Sequence, residues 1–270
     1  MTKDVAISAD TRGVKIQRVG VKGLHLPLKI KRKKNGHQEV LGNIELAVEL
    51  PHRYRGTHMS RMVEVLFQWC DKPLNGSDLR QILEQVRKRL EAKSARMSVR
   101  FKYFVEKRAP VSKSPSVLDY DCEFTGSLGP AGFEFVLGVE VPVTALCPCS
   151  KEMSARGAHN QRGVIRARVR YNRPARAWIE DLVGTLESLG SSEIYPLLKR
   201  QDERYVTEVA YDNPKFVEDI LRDVVLALRK DDNVLWYEVE CETFESIHNH
   251  SAYAYQRESA EDWLGPGRDG

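Results

Sequence analysis

Two thiols and an imidazole, Cys147, Cys149 and His159, fall within thirteen residues. Thiolate and imidazole ligands suit Zn²⁺ or a similar borderline ion, and such an ion makes water nucleophilic at neutral pH. Cys-x-Cys seldom lets both sulfurs chelate one ion, so a surface loop with two incidental cysteines stands beside the metal reading. A second polar segment, Tyr195 to Glu203, sets Asp202 and Glu203 next to Lys199 and Arg200. It reads equally as a solvated charged loop. The third, Glu245-Ser246-Ile247-His248-Asn249-His250, follows a strand pattern. Its side chains could be ligands, acid/base groups or polar surface.

The scaffold that must position these groups reads from its apolar periodicity. Leu24, Leu26, Leu28 and Ile30 alternate, as do Ile44, Leu46, Val48 and Leu50, and Asn35-Gly36 between them signals a hairpin. Helical stripes follow: Met59, Met62, Val63, Leu66 and Phe67, then Leu79, Ile82, Leu83, Val86 and Leu90 with Ser77 as N-cap. Two strands come next, around Met97 to Val105 and Ser116 to Gly126. The order then recurs. Strands run through Phe133 to Val143 and Ile165 to Tyr171, and helices through Trp178 to Leu186 and Phe216 to Leu228, the latter opened by Asn213-Pro214. A strand from Leu235 to Cys241 closes the pattern. This predicts an α+β protein of two tandem β-β-α-α-β-β units, 14–127 and 131–257, with antiparallel sheets, helices on one face, and flexible tails at 1–13 and 258–270. Leu146 to Arg162 and Gly190 to Asp212 interrupt the second unit as loops, where function concentrates.

Composition limits the alternatives. The chain has 270 residues, 41% hydrophobic and 30% charged, which suits a globular protein. No apolar run has the length of a membrane span, the N-terminus lacks a signal-peptide core, and five cysteines do not form a secreted disulfide pattern. The expectation is a cytoplasmic protein. A net charge of +4 is too weak to argue for a nucleic-acid binder, and suits a local basic pocket for a phosphorylated substrate.

The strings Leu146 to Glu152, Gly157 to Arg162, Leu197 to Arg200 followed by Asp202-Glu203, Glu245 to His250, and Arg55-Gly56-Thr57-His58-Met59-Ser60-Arg61 closely resemble type IB GTP cyclohydrolase I. The resemblance runs from about Val14 to Tyr255. It implies a tunnelling fold, a homotetramer with active sites at subunit interfaces, and conversion of GTP and water to 7,8-dihydroneopterin triphosphate and formate. That reaction opens folate biosynthesis and, in many bacteria, queuosine-type tRNA modification. It further implies a divalent metal ion, Zn²⁺ or Mn²⁺, held by Cys147, His159 and Glu203, with His248 at or beside it. Cys147 and His248 are then the catalytic candidates, and Cys149 and Glu245 stand behind them. Glu218 matches the position that reads the guanine edge, and Arg61, Lys151, Lys199 and Arg200 are candidates for the triphosphate.

Other readings are weaker. A deazaguanine nitrile reductase of the same fold uses a cysteine nucleophile and a nicotinamide cofactor in place of a metal. A zinc deaminase is half-matched by His37-Gln38-Glu39 and Pro148-Cys149 but lacks Cys-x-x-Cys. A non-catalytic purine or metal binder on the same scaffold is disfavoured by the intact motifs, and an RNA-binding module by the absence of any nucleic-acid motif. Arg166, Arg168 and Arg170 project from one strand face, as an exposed basic face or a phosphate channel.

Overall fold

The structure, a computed structural model, describes residue 6 and residues 8–264. The chain runs through β1 (Ile16–Lys31), β2 (His37–Leu50), α1 (Met59–Phe67), β3 (Pro73–Leu74), α2 (Asp78–Leu90), β4 (Ala95–Arg108) and β5 (Pro115–Gly129). It continues through β6 (Gly132–Leu146), α3 (Pro148–Met153), β7 (Asn160–Tyr171), α4 (Ile179–Glu187) and β8 (Ser192–Glu193). The last elements are α5 (Arg200–Asp212), α6 (Val217–Arg229), β9 (Val234–Phe244), β10 (Ser251–Ser259) and α7 (Ala260–Leu264).

The strands form one ten-stranded sheet in the order β10-β9-β7-β6-β5-β4-β2-β1-β3, with β8 on β6. The pairing is mostly antiparallel; β1 and β3 run parallel. This corrects the expectation of a tunnelling fold made of two tandem units with antiparallel sheets and helices on one face. The physical reason lies at the expected boundary. Pro130 and Ala131 alone separate β5 from β6, so the chain there turns a hairpin and the sheet continues where a linker was expected. The described residues pack as two compact units. The first takes those up to Lys102, with Glu123–Leu137 and Arg173–Ala177; the second takes Tyr103–Cys122, Gly138–Asn172 and those from Trp178 on. Each of β4, β5 and β6 thus contributes to both.

In the first unit the alternating Ile44, Leu46 and Val48 are buried, with Met62 and Leu66 of α1 and Leu79, Ile82 and Val86 of α2. Each such side chain contributes about 1.5–3 kcal/mol on burial. Phe101, Phe124 and Phe135 meet edge to face within this core. The Asn35-Gly36 turn joins β1 to β2 with Gly36 at φ +76°, a backbone state that favours glycine. Ser77 stands at the start of α2 but does not cap it. Its hydroxyl donates to Asn75 Oδ1 (2.7 Å), and Asp78 Oδ2 accepts from the Asn75 N–H (2.8 Å).

In the second unit Leu182, Val183 and Leu186 of α4 and Ile220, Val224 and Leu228 of α6 are buried, as are Ile165, Ala167 and Val169 of β7 and Val239 of β9. Cys241 is buried with them, and burial pushes its thiol up to about 12, with Glu240 adding to the rise, so it stays an unreactive thiol. Arg166 pairs with Glu140, Glu240 and Glu242, and Arg168 with Glu238 across the β7–β9 ladder. The arginine face is therefore a cross-strand charge ladder.

Three further segments differ from the sequence reading. The charged segment around Arg200 to Asp212 is helix α5, not a loop. The strand ending at Phe244 is followed by an antiparallel partner, β10, so Glu245 to His250 is the loop of a hairpin. Residues expected as a tail after 257 finish β10 and form α7. There Glu258 accepts two hydrogen bonds from Arg229 Nη2 (2.7 Å each) and one from the Tyr237 hydroxyl, and Trp263 stacks on Tyr237. The rest of the expected tails lies partly outside the described residues; within them Ala9 bridges Tyr54.

Candidate active site

β6 delivers Cys147 to the head of α3, with Pro148 supplying the fixed φ of a first helical residue. The Cys147 sulfur accepts from the Ser150 N–H (3.4 Å). The loop after α3 passes through Gly157 at φ +129° and returns to the same place. There the Cys147 N–H donates to the His159 carbonyl (3.1 Å), and the His159 N–H to Ser150 Oγ (3.2 Å). Backbone bonds thus bring the Cys147 and His159 main chains together.

The imidazole is also oriented. His159 Nδ1 lies 2.7 Å from Gln161 Oε1, while Gln161 Nε2 donates to both oxygens of Glu245 (3.1 and 3.2 Å). Thr243 Oγ1 donates to Glu245 Oε1 (2.8 Å). Because the Gln161 amide donates to a carboxylate, its oxygen faces the ring, so Nδ1 carries the proton and Nε2 presents a lone pair. That is the tautomer a metal ligand needs. The sequence assigns no role to Gln161; its signal is the Gln two residues after His159, on the same side of the strand by alternation.

These groups line a cavity of about 480 Å³ in the second unit, within the size range of small-molecule sites. Cys149, Glu218, His248 and His250 line it too. His248 and His250, in the β9–β10 loop, stack with ring centres 5.0 Å apart and planes 9° from parallel. Glu218, in the first turn of α6, is exposed and lines the cavity.

Against known proteins, the sequence model of the family described as "Type I GTP cyclohydrolase folE2" matches residues 2–254. The chain belongs to that family. A relative named GTP cyclohydrolase FolE2 from Syntrophotalea carbinolica is 48% identical over 252 residues, 93% of each chain. One of the same name from Geobacter sulfurreducens is 49% identical over 251 residues, 93% of this chain and 96% of its own. Among solved structures, uricase from Arthrobacter globiformis superposes with a TM-score of 0.55 at 9% identity, over 90% of this chain and 93% of its own. That likeness concerns fold alone. It replaces the expected tunnelling fold with a uricase-like one.

The other candidates of this FolE2-family chain sit elsewhere. Glu203 is exposed on α5 and does not line the cavity. Among the described residues no three His, Cys, Asp or Glu side chains gather as a metal-holding group. Cys147 and His159 offer donors whose chemistry suits a borderline ion. Lys199 and Arg200 are exposed at the start of α5. Lys151 Nζ donates to the Tyr211 carbonyl at the end of α5 (2.5 Å) and sits 4.3 Å over its ring. Arg61 belongs to the first unit, where Nη1 donates to the Arg89 carbonyl (3.4 Å) and the side chain lines a separate cavity of about 360 Å³ with Tyr54 and His58.

Asp202, next to Glu203, is fully buried. It accepts from the N–H groups of Val111 and Ser112 (2.8 Å each), the Ser112 hydroxyl (2.6 Å) and the Lys199 N–H (2.9 Å), pinning the head of α5 to the β4–β5 turn. Burial pushes its carboxyl up, but the bonds from Ser112, Lys199 and Val111 together outweigh this and hold it below the ordinary range. A carboxyl lowered in the folded state stabilises fully above its unfolded pKa of about 4, and that stability is lost as pH falls through the folded value. Asp202→Asn should lower the urea midpoint at pH 7, with a deficit that shrinks as acid is added. A deficit that stays constant through the acid range would contradict this assignment.

Proposed function

We propose that this chain is a GTP cyclohydrolase I that converts GTP and water to 7,8-dihydroneopterin triphosphate and formate, the first step of folate biosynthesis. Family membership supports the reading, and one observation carries it to the residues: Cys147, an oriented His159, Glu218 and His248 line the same cavity. The cavity has room for a purine, and its groups divide the work. The Glu218 carboxylate accepts from guanine N1–H and the 2-amino group, a pair of parallel donors that matches its two oxygens. This fixes the base with C8 toward Cys147 and His159. His248 moves protons at the purine N7 and N9 side as water adds at C8 and the ring opens.

Cys147 and His159 would hold a divalent ion, Zn²⁺ or Mn²⁺, with Cys149 and Glu245 supporting them and His248 alongside. When bound, it supplies Lewis acidity and a nucleophilic water at neutral pH. Glu203 would complete the set from a second copy of the chain, since it does not line the cavity of its own chain. The protein is accordingly a cytoplasmic homotetramer with shared sites, in which Arg61, Lys199 and Arg200 meet the triphosphate. Lys151 holds the end of α5 and joins them only by leaving Tyr211. No described helix is long and apolar enough to cross a membrane.

The base reading is tested by comparing GTP with ATP. Adenine lacks both donors, and a site built to hydrogen-bond a substrate rejects an analogue without them by about 10⁴-fold. Release of formate from GTP alone is expected. Equal release from ATP would sink the assignment of Glu218.

A further inference from the structure

The segment that presents Glu218 is tied down by groups with no role in the reaction above. The Lys215 N–H donates to the Leu146 carbonyl (3.0 Å), one residue before Cys147. Lys215 Nζ donates to the Leu189 carbonyl (3.0 Å) and to Asp223 Oδ2 (2.7 Å) on α6. Asn213 Nδ2 donates to the carbonyls of Gly190 and Ser191 (3.0 and 3.2 Å). Ser191 closes the circuit. Its hydroxyl accepts from the Leu146 N–H (3.0 Å), and its own N–H donates to the Thr144 carbonyl (2.8 Å). Leu146 and Ser191 are buried, and the Lys215 side chain is 15% exposed. The end of β6, the turn after α4 and the entry to α6 are thereby joined at one point.

We propose that Lys215, assisted by Asn213, is a positioning residue that sets the base-reading carboxylate of Glu218 against the Cys147–His159 pair. The inference rests on Glu218 reading the guanine edge. Lys215 lines the same cavity as Cys147 and Glu218, yet its ammonium is turned to a carbonyl and a carboxylate of the scaffold. It bridges the two halves of the site: its backbone grips the strand that ends at Cys147, and its side chain grips the helix that carries Glu218. Asp223 lies on α6 beyond Glu218, so the Lys215–Asp223 pair fixes the rotation of that helix as well as its distance. Loosening the clamp lets the carboxylate drift from the base while leaving the thiol and imidazole in place, because these are held by Ser150, Gln161 and Glu245.

The test is a kinetic cycle on the full-length, metal-loaded protein with Lys215→Met, Asp223→Asn, Glu218→Gln and the Lys215→Met/Glu218→Gln double variant. Lys215→Met should raise KM for GTP about tenfold, the equivalent of one lost charged hydrogen bond, with kcat changed less and bound metal unchanged. Lys215→Arg, which keeps the donors, should recover part of the loss. In the Glu218→Gln background Lys215→Met should add little, since both act through one contact. An unchanged KM in Lys215→Met while Glu218→Gln is impaired overturns the clamp and leaves the base reading standing; so does full additivity. An unimpaired Glu218→Gln overturns the base reading itself, and the clamp with it. If Lys215→Met does not fold, as judged by circular dichroism, Asp223→Asn decides: a raised KM supports the clamp and an unchanged one overturns it.

Discussion

Cys147→Ala is expected to abolish formate release, by about a thousandfold or more, the scale of losing one member of a unit whose parts act together. The sulfur is half-buried at the end of β6 and its one local bond is a weak acceptance from the Ser150 N–H. Its removal should leave the fold intact, since the backbone bond to His159 remains. Metal content should fall with activity, because the thiolate is one of the proposed ligands. Cys149→Ala, at a neighbouring and exposed position, should lose only about 10–100-fold, as for groups that support a ligand. Atomic absorption on the purified variants checks both. A Cys147→Ala protein that retained metal and turnover would remove the thiol from the site.

Glu218→Gln should lower kcat/KM for GTP by about 1.5–3 kcal/mol, or roughly ten- to a hundredfold, the cost of losing a charge-assisted bond. The amide offers one acceptor and places an N–H₂ against a base donor, so the penalty includes a mismatch as well as a lost bond. Metal content should be unchanged, which separates this variant from Cys147→Ala. The residue is exposed at the cavity, so the substitution should leave the fold intact. An unchanged kcat/KM, measured by formate release over a range of GTP concentrations, would make Glu218 an ordinary solvated helix residue.

The sequence showed strands and helices wherever apolar residues recur at a clear period. Ile44, Leu46 and Val48, or Ile220, Val224 and Leu228, announce one buried face and are buried on it. It failed where periodicity is weak. Helix α5 buries only Asp202 and Ala210, so no apolar stripe marks it, and its charged residues read as a loop. The edge strand β10 alternates Tyr with Ala and has no fully buried face, so the pattern does not mark it as a strand. The single sheet was invisible because a two-residue hairpin at Pro130-Ala131 looks like a break in pattern. Long motifs single out Cys147, His159, Glu245 and His248, and a position match to the family adds Glu218; all five line one cavity. The motifs do not show that Glu203 lies off that cavity, nor that Gln161 and Lys215 connect its walls, because those facts depend on contacts between segments distant in sequence.

The most direct measurement is incubation of the purified protein with GTP, with and without a chelator, followed by assay of formate and of a fluorescent pterin after oxidation. Formate and pterin are expected in equal amounts, to be lost on chelation and to return with Mn²⁺ or Zn²⁺. GTP recovered intact from metal-loaded, correctly folded protein would contradict the proposed activity.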